Sequence, residues 1–317
     1  WKELVALAEG ASISVDDLFR YYTHVLRAKE KITDKEIGLR RFYTDNRNKQ
    51  LENENLFNHL IELAGFWQDI NNSKTNQDVE TSNFVNDEAA KWLQCLNVYP
   101  NEFWKYPVVI YYICHRNNES FEKKFGAFLN KLVLELFTKY LILPTVNAVK
   151  TDILKLNAAI VKADKPIFDF KEIDLALLEK HIQNPHRNLV RMLLKILAYQ
   201  EQEILLPENW EIEHIFPQKW QDNYFTDVSD STIKEKIEYI GNKVPFEKKL
   251  NIIAGNGYFG KKKKEYLASS IVITKRLGEL ENNEWNLDSI MTRNIRILDS
   301  IKSILSKEYE EFLNMLK

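Results

Sequence analysis

Glycine and proline are both scarce, nine and eight in 317 residues, where average usage would supply about 22 and 16. That shortage argues against a glycine-rich dinucleotide fold and a turn-rich all-β sandwich, and it favours a largely helical chain. Two cysteines, Cys95 and Cys114, cannot build a disulfide framework, and neither belongs to a Cys-x-x-Cys pair. No stretch reads as a secretory leader, so a reducing, cytoplasmic setting is expected. Long apolar runs are missing as well. The longest, Phe128 to Leu143, is broken by Asn130, Lys131, Glu135 and Lys139, as in a buried helix and not a membrane span. No single sign of charge dominates: 44 Lys+Arg against 46 Asp+Glu leave −2, so any nucleic-acid contact has to come from a local basic patch. A phosphate-cradling loop is lacking too. Gly255-Asn256-Gly257 is not followed by Lys-Ser/Thr, and no nucleotide is expected as a cofactor.

What is present is an ordinary globular composition, 44% hydrophobic and 28% charged, with a mean hydropathy of −0.40. The length predicts two domains. Up to about residue 200 the chain reads as successive helices. Ser14-Val15-Asp16-Asp17 caps one, with Leu18, Tyr21, Tyr22 and Val25 at helical spacing, and Thr33-Asp34-Lys35-Glu36 has capping-box form. Further helices are expected around Leu56–Ala64, Ala89–Leu96, Pro107–Cys114 and Phe121–Leu143, then over 146–162, 173–182 and 187–200, with a polar loop from Asn71 to Thr81. The texture changes near 205, where the boundary is placed: a helical linker or regulatory domain over 1–205, and a second domain over 206–317. In the second, Trp210–Phe216 alternates like a short strand and Pro217 stops it. Gly241–Phe246 is a second strand-like segment, a helix starts at Lys248, a lysine-rich helix runs from Lys261 towards Arg276, and the last 30 residues are helical.

One cluster stands out chemically: Glu213-His214, Asn242 and Asn251. Hydrolysis of a phosphodiester needs a base to activate water and a hard cation to neutralise charge on the phosphate. Imidazole can serve as that base, and a carboxylate and an amide oxygen are hard ligands suited to Mg²⁺. A β-hairpin packed on one helix can gather such residues although they are far apart in sequence. Lys261–Lys264, with Lys243, Lys248, Lys249, Lys275 and Arg276, makes this the most basic stretch. Such a run is ordinarily a solvated helix face; beside a hydrolytic cluster it also suits phosphate. Phe259 and Tyr266, seven apart, read as core in preference to base-stacking groups, and the remaining histidines as structural.

Glu211-Ile212-Glu213-His214-Ile215-Phe216-Pro217-Gln218 resembles the first motif of HNH (ββα-metal) nucleases, and Gly241-Asn242-Lys243-Val244-Pro245-Phe246 the second, with Asn251 at the matching spacing. Asn256, Phe259, Lys262, Tyr266, Ser269, Thr274, Trp285, Ile290 and Arg293 further resemble the C-terminal nuclease domain of GmrSD-type, modification-dependent (type IV) restriction enzymes. The resemblance implies a mainly α fold: an N-terminal multi-helix domain and a small ββα-metal module (core about 208–265) embedded in C-terminal helices reaching 317. It implies catalytic His214 as general base, Asn242 bracing the hairpin, Glu213 and Asn251 holding one Mg²⁺ or Mn²⁺, and Lys262, Lys263 and Lys249 on DNA phosphates, with Pro217, Phe259 and Tyr266 as structural support. The implied activity is cleavage of modified phage DNA in anti-phage defence, without a membrane. The implied partner is a ParB-like nucleotide-hydrolysing N-terminal domain, in cis or as a subunit. It is missing here, and a chain that opens at Trp1 is expected to be a fragment. Two departures from the family pattern stand out: Glu213 where Asp is commoner, and Asn251 where His is commoner. The contrasting expectation is a catalytically silent helical module that only binds DNA or a partner.

Overall fold

The computed structural model describes residues 1–72, 85–170, 174–221, 224 and 227–308. The chain forms two compact units, Trp1–Lys139 with Thr145–Lys171, and Tyr140–Pro144 with Glu172–Lys317. Besides Tyr140–Pro144, the second unit runs from Glu172, ahead of the change in texture near 205, which marks the entry into β structure inside that unit. Among the described residues no helix is long and apolar enough to cross a membrane.

Among the described residues the elements of the first unit are helices: α1 (Lys2–Gly10), α2 (Val15–Lys29), α3 (Leu39–Asn48), α4 (Leu56–Asn72), α5 (Asp87–Leu96), α6 (Lys105–His115), α7 (Phe121–Ile142, whose last three residues belong to the second unit) and α8 (Lys150–Ile160). Ser14 caps α2 by accepting from the Asp17 backbone N–H at 3.1 Å. The capping-box reading of 33–36 fails. Arg27, buried in α2, donates to the Lys35 carbonyl, which holds this stretch out of a helix, and α3 starts only at Leu39. Most of the polar loop expected over Asn71–Thr81 lies outside the described residues. The core is aromatic, with Tyr111 stacked on Phe128 at 4.2 Å and its hydroxyl donating to the Asp164 carbonyl. His24 stacks on Tyr106 at 3.6 Å. Burial pushes its pKa down to about 3, with Arg27 adding to the effect, so it is a neutral core histidine.

The second unit holds α9 (Leu175–Gln183), α10 (Arg187–Tyr199), β1 (Trp210–His214), α11 (Asp230–Ile237), β2 (Lys243–Glu247), α12 (Lys248–Ala254), α13 (Phe259–Leu267), α14 (Val272–Gly278) and α15 (Leu287–Glu308). Its fold is mainly α, and among the described residues the sheet has two strands. They pair antiparallel in the register Trp210↔Glu247 through His214↔Lys243, and α12 follows β2 at once, giving the ββα order. Ile215, Phe216, Val244, Phe246, Phe259, Tyr266, Trp285 and Ile290 build one core beneath them. The single helix expected from Lys261 to Arg276 is two. Glu247 accepts from Ser269 Oγ, Ser270 N and Ser270 Oγ at 2.7–2.8 Å, and this fixes the break between α13 and α14.

The register decides which backbone groups face outwards. Lys248 N–H donates to the Asn209 carbonyl and Ile215 N–H to the Asn242 carbonyl, both at cross-strand positions of this register. Pairs that exchange hydrogen bonds alternate with pairs that do not, so Trp210, His214, Lys243 and Pro245 turn their carbonyls away from the partner strand. Each is taken by a side chain from a helix. Arg191 donates to Trp210 O at 3.0 Å, Lys262 to His214 O at 2.7 Å, Arg293 to Lys243 O at 2.9 Å, and Thr274 to Pro245 O. The same alternation explains how Pro245 sits in a strand, because its missing N–H lies on the outer edge.

Between α11 and β2, the tight turn Ile240–Asn242 lies against α15. A Cβ on Gly241 would stand 2.1 Å from the Ile290 carbonyl and 2.7 Å from Asn294 Oδ1. Gly241→Ala is therefore expected to destabilise the protein by about 3 kcal/mol or more. Gly65→Ala in α4, where nothing lies within 4 Å of the added carbon, is expected to stabilise by about 0.5–1 kcal/mol. Urea unfolding of both variants checks the pair.

Candidate active site

His214 ends β1, and the segment that follows it is pinned by a fully buried side chain. Asn242 is 0% exposed. Its Oδ1 accepts from Phe216 N–H at 2.7 Å, and its Nδ2 donates to Phe216 O and Ile237 O, both at 3.0 Å. The amide thus ties the segment after His214 to the end of α11. The Asn242 side chain bonds backbone groups, which is the geometry of a brace. Arg293 supports the same turn, with Nη1 donating to the carbonyls of Ile240, Gly241 and Lys243. Burial brings its pKa down to about 10, which still leaves it charged at neutral pH.

The imidazole of His214 faces a small polar group. Nε2 lies 3.4 Å from Glu238 Oε1, and Glu238 Oε2 accepts from Lys243 Nζ at 2.8 Å. Gln218 Nε2 stands 3.5 Å from both His214 Nε2 and Glu238 Oε1. The hydrogen bond from His214, seconded by Lys243, holds the Glu238 carboxyl down at about 2 against partial burial. Nothing in the sequence motifs singles out Glu238: it is the residue at the end of α11, brought here only by the turn that follows.

On the other side of the strand, Glu213 is buried, with Oε1 accepting from Lys262 Nζ at 2.6 Å and from Tyr266 Oη at 2.8 Å. Burial pulls the Lys262 pKa below the ordinary lysine value while Glu213 opposes it. Burial, then Glu213, sends that of Tyr266 well above the usual phenol range. Asn251, on α12, donates to Glu211 Oε2 at 3.1 Å, and Lys248 Nζ lies 3.9 Å from Glu211 Oε1. Pro217, Phe259 and Tyr266 are all buried.

These contacts correct several expectations. Lys262 is 1% exposed and salt-bridged, so it is out of reach of a phosphate. Lys263 donates to the carbonyls of Leu280 and Asn282 and to Asn283 Oδ1, tying down the loop before Trp285. Lys249 is exposed on α12, as are Lys261 and Lys264 on α13. Glu213 is a poor cation ligand for a physical reason: its charge is already offset in the interior by the Lys262 ammonium, and the Tyr266 hydroxyl donates to the same oxygen. Among the described residues no three or more His, Cys, Asp or Glu converge as a metal cluster. The pair that does fit a hard cation is Glu211 with Asn251, a partly exposed carboxylate and an amide in contact. Mg²⁺ commonly takes only one or two protein carboxylates and keeps several waters.

Residues 168–300 match the family model of the GmrSD restriction endonucleases, C-terminal domain. The match supports a GmrSD-type restriction endonuclease C-terminal region there, a nuclease module with DNA as its substrate, and it takes in both strands and every residue of the polar sets above. No curated protein matches the chain.

Two outcomes follow from the geometry. Asn242→Ala strands three buried backbone groups and is expected to destabilise the protein by about 2–4 kcal/mol in urea unfolding. Glu238, with its carboxyl depressed from 4.5 to about 2, adds stability that is complete above pH 4.5 and is lost as pH falls through 2. Since Glu238 is nearly half exposed, the contribution is below about 1 kcal/mol. The stability gap between wild type and Glu238→Gln, followed from pH 7 to pH 2, should close in that window.

Proposed function

We propose that the second unit is an HNH-type, divalent-cation-dependent DNA endonuclease, the nuclease half of a modification-dependent restriction system. The observation that carries this reading is the ββα arrangement itself: His214 at the end of β1, Asn242 clamping the segment behind it and α12 delivering Asn251, all inside the stretch that matches the GmrSD C-terminal domain.

In this reading His214 takes the proton from the attacking water. Imidazole suits the task because its ordinary pKa lies close to neutrality. Glu238 orients the ring and stays ionised throughout the working range, and Gln218 lines the same polar recess. Asn242 and Arg293 hold the turn, so that the strand end carrying the base has a fixed place. Mg²⁺ or Mn²⁺ would be held by Glu211 and Asn251 and, when bound, would offset charge building on the phosphate and leaving oxygen. Exposed Lys249, Lys261 and Lys264 supply phosphate contacts that position the backbone without reading sequence. Specificity for modified phage DNA would then come from a ParB-like nucleotide-hydrolysing partner domain, as the family resemblance implies.

The test is plasmid cleavage by the chain and by His214→Ala in Mg²⁺, Mn²⁺ or EDTA. Nicking or linearisation should require the metal and fall by about 10²–10⁴-fold in the variant. Cleavage that persists in His214→Ala would remove this histidine as the base, and cleavage in EDTA would remove the cation.

A further inference from the structure

The buried set Glu213–Lys262–Tyr266 has no part in that scheme, yet it lies directly under the base. Its geometry follows from the strand. The ladder turns the His214 carbonyl to the outer edge of β1, away from β2. There Lys262 Nζ, 1% exposed, donates to His214 O at 2.7 Å and to Glu213 Oε1 at 2.6 Å, and Tyr266 Oη donates to the same carboxylate oxygen at 2.8 Å. One ammonium therefore bridges the side chain of one strand residue and the backbone of the next. It reaches them from α13, whose Phe259 and Tyr266 are embedded in the core.

We infer that Lys262 is a positioning residue for His214: with Glu213 and Tyr266 it locks the outer edge of the strand end from which the imidazole projects, and Glu213 thereby serves the placement of the base and does not bind the cation. Stability alone is a weak account of this set, because an apolar replacement of a buried ion pair is often neutral or stabilising. What such a replacement would lose is the bond to His214 O, the one contact of the set that reaches the residue carrying the base. The Asn242 brace acts on the residues after His214; Lys262 acts on His214 itself from the opposite edge. The inference rests on the nuclease reading for its kinetic arm only.

The experiment uses the full chain with Tyr266→Phe, the double variant Glu213→Gln/Lys262→Met, which leaves no unpaired buried charge, and Glu211→Gln. Three readouts are taken: the His214 ring proton signals by NMR, identified by their loss in His214→Ala; Mn²⁺ half-saturation; and plasmid turnover at saturating Mn²⁺. In the double variant the His214 ring signals should move and turnover should fall about 10–100-fold, as for other residues that orient a catalytic group from behind. The Mn²⁺ half-saturation should stay within about twofold of wild type, as the loss of a supporting group without a ligand requires. Tyr266→Phe, which keeps its ring in the core, should shift the same ring signals in the same direction by a smaller amount, and this arm stands even if the double variant does not fold. Glu211→Gln should raise the Mn²⁺ half-saturation and leave the ring signals in place. A rise in half-saturation in the double variant would make Glu213 a cation ligand and overturn the inference. So would unmoved ring signals in Tyr266→Phe and the double variant. If the wild type cut no DNA in any metal, the nuclease reading would fall, while the ring signals would still decide whether Lys262 fixes His214.

Discussion

A hairpin of two five-residue strands has no interior strand, so each strand pairs on one side and leaves a row of carbonyls on the other. Buried peptide groups without partners cost about as much as a lost hydrogen bond, and this constraint shapes the whole second unit. Four helices each send one side chain to an outer carbonyl: Arg191 from α10, Lys262 from α13, Thr274 from α14 and Arg293 from α15. The helices around the ββα module are therefore not appendages to it. They complete the hydrogen bonding that a larger sheet would have supplied with further strands, and in doing so they fix where the strand ends lie.

The same contacts specify one register. Sliding β1 by one residue would turn Glu213 away from Lys262 and bring Ile212 or His214 to a buried ammonium in place of the carboxylate. Sliding it would also take Phe216 away from both its bonds to Asn242. Polar groups in an apolar setting penalise mispairing more than they reward correct pairing. A module with so few strand residues has little hydrophobic patterning of its own to select a register, so buried hydrogen-bond partners carry that burden. His214 benefits because both of its flanks are fixed, one by Asn242 and the other by Lys262.

Much of this was legible in the sequence. Helical periodicity located most of the helices, and alternation followed by proline located β1. The spacing of His214, Asn242 and Asn251 brought those three to one module. The burial of Lys262 was also encoded, though a count of charges hides it. Phe259, Lys262 and Tyr266 stand at i, i+3 and i+7, on one face of a helix, so once the two aromatics are read as core the lysine between them must point inwards. Which of Glu211 and Glu213 is buried could not be read. They share a face of the strand, and only the packing of α13 over one end and α12 over the other separates a buried partner of lysine from a partly exposed partner of Asn251. The end of the first unit was hidden for a related reason. Composition changes where the strands begin, near 205, but α9 and α10 already belong to the unit that holds the hairpin.

The basic stretch illustrates how charge along a sequence divides once it is folded. Of Lys261–Lys264, one is spent on Glu213 and a strand carbonyl and another on the carbonyls of the loop before Trp285, while Lys261 and Lys264 face solvent. Lys243 is taken by Glu238 beside the imidazole. Cations committed to internal partners release no counterions when DNA binds, so the salt dependence of binding follows only the exposed lysines that reach phosphate. With a net charge of −2 over the whole chain, attraction to DNA is left to such local groups. Affinity from this surface alone would be modest and sensitive to salt, because Lys262 and Lys263 bond carbonyls and side chains of the protein itself.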